Sequence, residues 1–128
     1  MNVPEGDGQS ASFLNDLNPS PDFPFIEPVE AKLRRFDVLI QETSPLIPIE
    51  QFDCLVVDVQ GMELDVLIGM GKYLDNFNFL NIECSQVPTF DHGPSAQQIV
   101  NYLADHGFVQ DSPIEVHNDV MFINKRKL

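Results

Sequence analysis

Two carboxylates close two apolar stretches of this chain, and that placement is where chemistry can sit. Asp58 follows Cys54-Leu55-Val56-Val57, and Glu83 follows Phe79-Leu80-Asn81-Ile82. Acids at the carboxyl ends of neighbouring strands can line one cleft, the edge at which open α/β sheets bind ligands. Two carboxylates held close together push one pKa upward, which suits a general base for a hydroxyl. Between the two strands the chain reads Val59-Gln60-Gly61-Met62-Glu63. Gly61 tolerates backbone angles that other residues avoid, so it breaks the strand. Glu63 and Asp65 then fall in the first turn of a helix, where negative charge suits the dipole. Asp58 can equally well bond the amides of its own turn, and Glu63 reads first as a helix N-terminal charge.

These residues need elements to hold them. Cys54–Val59 is short, β-branched and apolar on both alternating faces, the pattern of a strand buried on both sides. Leu64, Leu67 and Ile68 give the following stretch, near 62–74, a helical face. Residues 77–84 predict a second strand parallel to the first, because the connection runs through a helix. Ser95 and Gln98 have the spacing of a capping box, and Ala96, Ile99, Val100 and Leu103 continue as a buried stripe. Gly107 stops that helix just after His106. Residues 35–41, Arg-Phe-Asp-Val-Leu-Ile-Gln, read as a further strand. Phe108-Val109, Ile114-Glu115-Val116 and Val120–Ile123 read as a terminal antiparallel hairpin turning at His117-Asn118-Asp119. Before all of this, residues 1–34 form an irregular segment with Pro4, Pro19, Pro21, Pro24 and Pro28. Its islands Phe13-Leu14 and Phe23–Ile26 are expected to dock on the core.

A D-x-x-G segment also occurs in GTPase switches, but no G-x-x-x-x-G-K-[ST] loop lies upstream, so that reading is rejected. An apolar strand, Asp58-Val59-Gln60-Gly61-Met62-Glu63, a helix reading Val66-Leu67-Ile68-Gly69, and a second strand ending in Glu83 together resemble the FkbM family of methyltransferases. The resemblance runs from about Phe36 to the C-terminus, and the Ser/Asn-rich start looks like that family's middle region. It implies the back part of a Rossmann-like class I methyltransferase sheet spanning 35–128. It also implies S-adenosylmethionine as methyl donor and a hydroxyl on a sugar or polyketide-like molecule as acceptor. Asp58 and Glu83 become the catalytic candidates. Asp58, Gln60, Gly61 and Glu63 become the cofactor-binding candidates.

One part of that pattern has no counterpart. No strand is followed by G-x-G or D-x-G-A-N. Gly6-Asp7-Gly8 has only five residues before it and reads as loop. The chain then reads as a fragment, a truncated frame, or a protein that has lost catalysis. The rival function is an interaction module that uses the open edge of a half-sheet, by which the chain could also self-associate.

Composition narrows the classes further. The 128 residues suit one compact domain, and 43% hydrophobic content supports a core. Twenty acids against seven bases give a net charge of −13, which argues against a broad nucleic-acid surface. No run approaches the ~20 apolar residues of a membrane span, so a soluble cytoplasmic protein is the expectation. Cys54 and Cys84 fall at the start of one strand and the end of the next. That separation does not suit a disulfide, so two reduced, mostly buried thiols are expected. No Cys/His spacing suggests a metal site. His92 reads as an exposed loop residue, His106 as a helix-end cation and His117 as a turn residue.

Without the glycine-rich turn, the chain alone is expected to bind S-adenosylmethionine weakly or not at all. A ligand held on one side recovers little of the freedom it loses. Calorimetric titration checks this. Saturable micromolar binding that Asp58→Ala abolishes would show instead that residues 1–30 build a cofactor site.

Overall fold

Cys54–Val57 forms β1, and its parallel neighbour Phe79–Cys84 forms β2, with Cys54 opposite Phe79 and Val57 opposite Ile82. The structure is a computed structural model and describes residues 1–3, 11–17, 28–43, 46–87, 89–116 and 118–127. Gly6-Asp7-Gly8, the island Phe23–Ile26 and His117 lie outside the described residues. Between the two strands run α2, Glu63–Met70, and a 3-10 helix, Gly71–Asn76. After β2 come α3, Ala96–Asp105, then β3, Phe108–Gln110, and β4, Asn118–Asn124. The sheet order is β1-β2-β4-β3, with β4 antiparallel to both of its neighbours. This is a mixed α/β sheet consistent with a partial Rossmann-like methyltransferase fold.

The apolar face of the sheet carries Val57, Leu80, Ile82, Val120 and Phe122, all buried. Leu67 and Met70 of α2 and Ile99 and Leu103 of α3 close the same core from above. Ser95 caps α3 as its spacing predicts. Its hydroxyl accepts from the Gln98 amide while the Gln98 side chain accepts from the Ser95 amide. Of the four positions of β1, only alternate ones, Leu55 and Val57, face this core.

Here the reading of β1 as a strand buried on both sides is corrected. Val56 is 66% exposed and Phe79 38%. The register puts Cys54, Val56, Phe79, Asn81, Met121 and Ile123 on the face opposite the core. The described helices pack on the other face, and among the described strands β1 lies at the edge of the sheet. For the same reason Cys54 is exposed rather than buried; Cys84 is buried, and both are free thiols.

Two further elements differ from expectation. Residues 35–41 are not a strand: Phe36–Thr43 is a helix, α1. Phe36 and Ile40 are four residues apart and both turn inward, so the run Val38-Leu39-Ile40 supports either period over so short a length. The Leu39 amide donates to the Arg35 carbonyl, and Arg35 pairs with Asp37 in the first turn. Ile114–Val116 is not a strand either. Its polar groups are taken by side chains and by the loop after β2. The Glu115 amide donates to Asn118 Oδ1 at 2.8 Å, and the Gln86 amide donates to the Glu115 carbonyl at 3.2 Å. The antiparallel pair β3–β4 does form, but β4 also inserts beside β2.

Val57 is 2% exposed at the centre of the core-facing side. A buried charge without a partner costs several kcal/mol. Val57→Asp is expected to lose at least about 4 kcal/mol of stability, read as loss of a cooperative unfolding transition by circular dichroism. A soluble, cooperatively folding variant would contradict the core assignment.

Candidate functional site

β1 ends at Val57, so Asp58 is the first residue past the strand, in register beside Glu83. The chain then turns sharply. Gln60 has φ 53° and Gly61 φ 99°, two consecutive left-handed residues that L side chains rarely adopt. Gly61 is required for a second reason. A Cβ there would lie 2.8 Å from the Phe90 ring, so the turn and the Phe90 side chain occupy the space any side chain would need.

Glu63 stabilises this turn. It is 4% exposed, and its Oε1 accepts from the Gly61 amide at 3.0 Å and the Val59 amide at 3.3 Å. The carboxylate that bonds the turn's amides is therefore Glu63, not Asp58. Asp58 is free to face outward, and the Gln60 carboxamide reaches it. Gln60 Nε2 donates to Asp58 Oδ1 at 2.6 Å and to Glu83 Oε2 at 3.0 Å. One amide thus bridges the acids at the ends of two adjacent strands.

The electrostatics of the pair follow from this crowding. Partial burial pushes the Glu83 carboxyl from an ordinary 4.5 up to about 8. Its hydrogen bond with Asp58 and the negative charges of Asp58, Glu63 and Asp119 add to the effect. At neutral pH Glu83 keeps its proton. Burial also pushes the neighbouring Cys84 thiol up to about 12, so Cys84 is no nucleophile at neutral pH.

A shallow pocket of about 40 Å³ opens beside this pair. Gly61, Glu83, Thr89, Phe90, Pro94 and Ile99 are among its walls. A piece of the N-terminal segment bonds to the loop that carries two of these walls, Thr89 and Phe90. Leu17 donates its amide to the Thr89 carbonyl at 2.9 Å, and Asp91 donates to the Asn15 carbonyl at 2.8 Å. Ser12 is 1% exposed, and its hydroxyl donates to the Gln60 carbonyl at 2.6 Å.

Of the candidates named from sequence, the fold brings Asp58, Gln60 and Glu83 into one hydrogen-bonded group. Gly61 and Glu63 lie behind them, engaged within the turn. His92 is in the loop after β2 with its side chain in solvent, and His106 ends α3 with Nδ1 at 2.9 Å from the Tyr102 carbonyl. No group of three metal-binding side chains occurs among the described residues. Ser12 and Phe90 were missed by sequence reasoning. Neither belongs to a periodic element, and only tertiary structure brings them to the turn.

Residues 6–109 match the family model described as the methyltransferase FkbM domain. That span is most of the chain, and the chain belongs to the FkbM methyltransferase family. The match begins inside the segment read as irregular, which is also the segment that reaches the turn. No curated protein and no solved structure matches the chain. No helix among the described residues is long and apolar enough to cross a membrane.

A raised carboxyl pKa has a definite consequence for stability. Below about pH 4.5 Glu83 is protonated in both folded and unfolded states, and above about 8 it is ionised in both. Between those values the folded state keeps a proton that the unfolded state has released, so stability falls as pH rises. Denaturant midpoints measured from pH 4.5 to 8 should decline in the natural protein. The Glu83→Gln variant should show a smaller decline. Parallel curves for the two would contradict the assignment.

Proposed function

We propose that this member of the FkbM methyltransferase family transfers a methyl group from S-adenosylmethionine to a hydroxyl of a sugar or polyketide-like acceptor. The observation that carries the reading is the bridged pair Asp58–Gln60–Glu83 at the carboxyl edge of two parallel strands. S-Adenosylmethionine, when bound, supplies a methyl group on a sulfonium and leaves as a neutral thioether.

The residues present fit part of that cofactor. The shallow pocket beside the pair has room for about three waters. Glu63 is spent on backbone amides, and the Cα face of Gly61 is covered by Phe90. What faces outward is negative and polar: Asp58 and the Gln60 carboxamide. A cationic centre is favoured beside Asp58 by simple charge attraction. This supports contact with one side of the cofactor.

Glu83 is the proposed base. The ionised carboxylate accepts the acceptor's hydroxyl proton as the oxygen takes the methyl group, and a pKa near the working pH is what such a role requires. Asp58 raises the basicity of Glu83 by its charge and its hydrogen bond. Gln60 fixes the separation of the two acids. Met62, Glu63 and Gly61 hold the turn but touch no reacting atom. A cation bound beside Asp58 lowers the Glu83 pKa, so donor binding itself readies the base.

The test is methyl transfer at high donor concentration across pH, with a panel of hydroxyl acceptors. The rate should rise with pH through a midpoint below the value of about 8 that Glu83 has without donor. Glu83→Gln should cost about 100-fold or more in kcat. Asp58→Asn should move the midpoint to lower pH, since the repelling charge is gone. A Glu83→Gln variant that keeps its rate would remove Glu83 from the mechanism.

A further inference from the structure

The left-handed turn has two halves, and Glu63 holds only one of them. Its carboxylate fixes the amides of Val59 and Gly61. The carbonyl of Gln60 points the other way, and what fixes it comes from much earlier in the chain. Ser12 Oγ donates to that carbonyl at 2.6 Å and accepts from the Leu14 amide at 3.0 Å. Ser12 is almost fully buried, and its own amide donates to the Asn2 carbonyl at 2.9 Å. The stretch then continues to the loop after β2, where Asp16 bridges to Phe90. Phe90 in turn packs on Gly61.

Gln60 is not glycine, so its φ of 53° needs a compensating interaction. The same conformation aims its carboxamide at Asp58 and Glu83 together. We propose that Ser12 is a positioning residue for the carboxylate pair: its hydroxyl holds the Gln60 backbone so that the Gln60 carboxamide bridges Asp58 and Glu83. The role rests on the reading of those two acids as the working pair. It gives residues 11–17, which contribute no strand or helix, a function at the site. Contact with solvent, substrate or cofactor is not needed, because the hydroxyl acts only through the peptide of Gln60.

The effect is directional. A hydrogen bond to the ionised carboxylates favours the ionised form, so losing the bridge moves the Glu83 midpoint upward. The experiment follows the Glu83 side-chain carboxyl carbon by NMR through a pH titration of the full chain. Four proteins are compared: the natural one, Ser12→Ala, Gln60→Ala and the double variant. Ser12→Ala is expected to raise the midpoint by about half a unit or more. In the Gln60→Ala background the same substitution should add nothing, because the path from Ser12 to the acids is already cut. Ser12→Cys, which keeps the size and weakens the donor, should shift the midpoint in the same direction. It carries the test if Ser12→Ala does not fold. An unchanged midpoint in the folded Ser12 variants overturns the proposal, as does an equal shift with and without Gln60. If the shift occurs but Glu83→Gln retains methyl transfer, Ser12 still positions the pair and the general-base reading falls by itself.

Discussion

Glu63 places one carboxylate oxygen between the amides of Val59 and Gly61, and the exit from β1 depends on that contact. A strand that ends in two left-handed residues leaves its amides without strand partners. Buried amides left unpaired cost as much as lost hydrogen bonds. A single acid at the start of α2 satisfies them and gains from the positive end of the helix at the same time. With the amides served from behind, the side chains of Asp58 and Gln60 are released to the front. If Asp58 had to serve the turn, no acid would remain at the end of β1, and Glu83 would stand alone at the end of β2.

The rest of the architecture supports this arrangement by fixing distances rather than by adding groups. Parallel pairing of Val57 with Ile82 sets the two acids side by side. Phe90 fills the space over Gly61, so the turn cannot relax toward the pocket. β4, lying antiparallel beside β2, contributes Asp119 opposite Glu83. Its charge is one of those that keep the Glu83 proton in place.

Much of this was legible in the sequence because it is written in local periods. The β-branched run of β1, the glycine after it, the stripe of α3 and the Ser95–Gln98 box are each carried by neighbouring residues. The two acids were visible for the same reason: each closes an apolar strand. Other features were not local. Phe36 and Ile40 serve a helix, yet Phe36, Val38 and Ile40 are also β-formers, and docking against α2 decides the matter. Ile114–Val116 alternates like a strand until Asn118 claims the Glu115 amide. The exposure of Val56 and Cys54 follows from what covers the sheet, which no property of those residues reveals. Ser12 sits amid serine, asparagine and glycine with no period at all, and nothing but the folded chain shows its partner.

The sheet order β1-β2-β4-β3 also divides the acid pair between two mechanical environments. Among the described residues, Glu83 ends a strand with hydrogen-bonded neighbours on both sides, whereas Asp58 follows a strand paired on one side. Opening free energies in a native protein are lowest at such margins and highest at the centre of a sheet. The proton-holding member therefore sits on the part of the molecule that breathes least, and its companion on a part that breathes more. Opening at that margin therefore bears on Asp58 before it reaches Glu83.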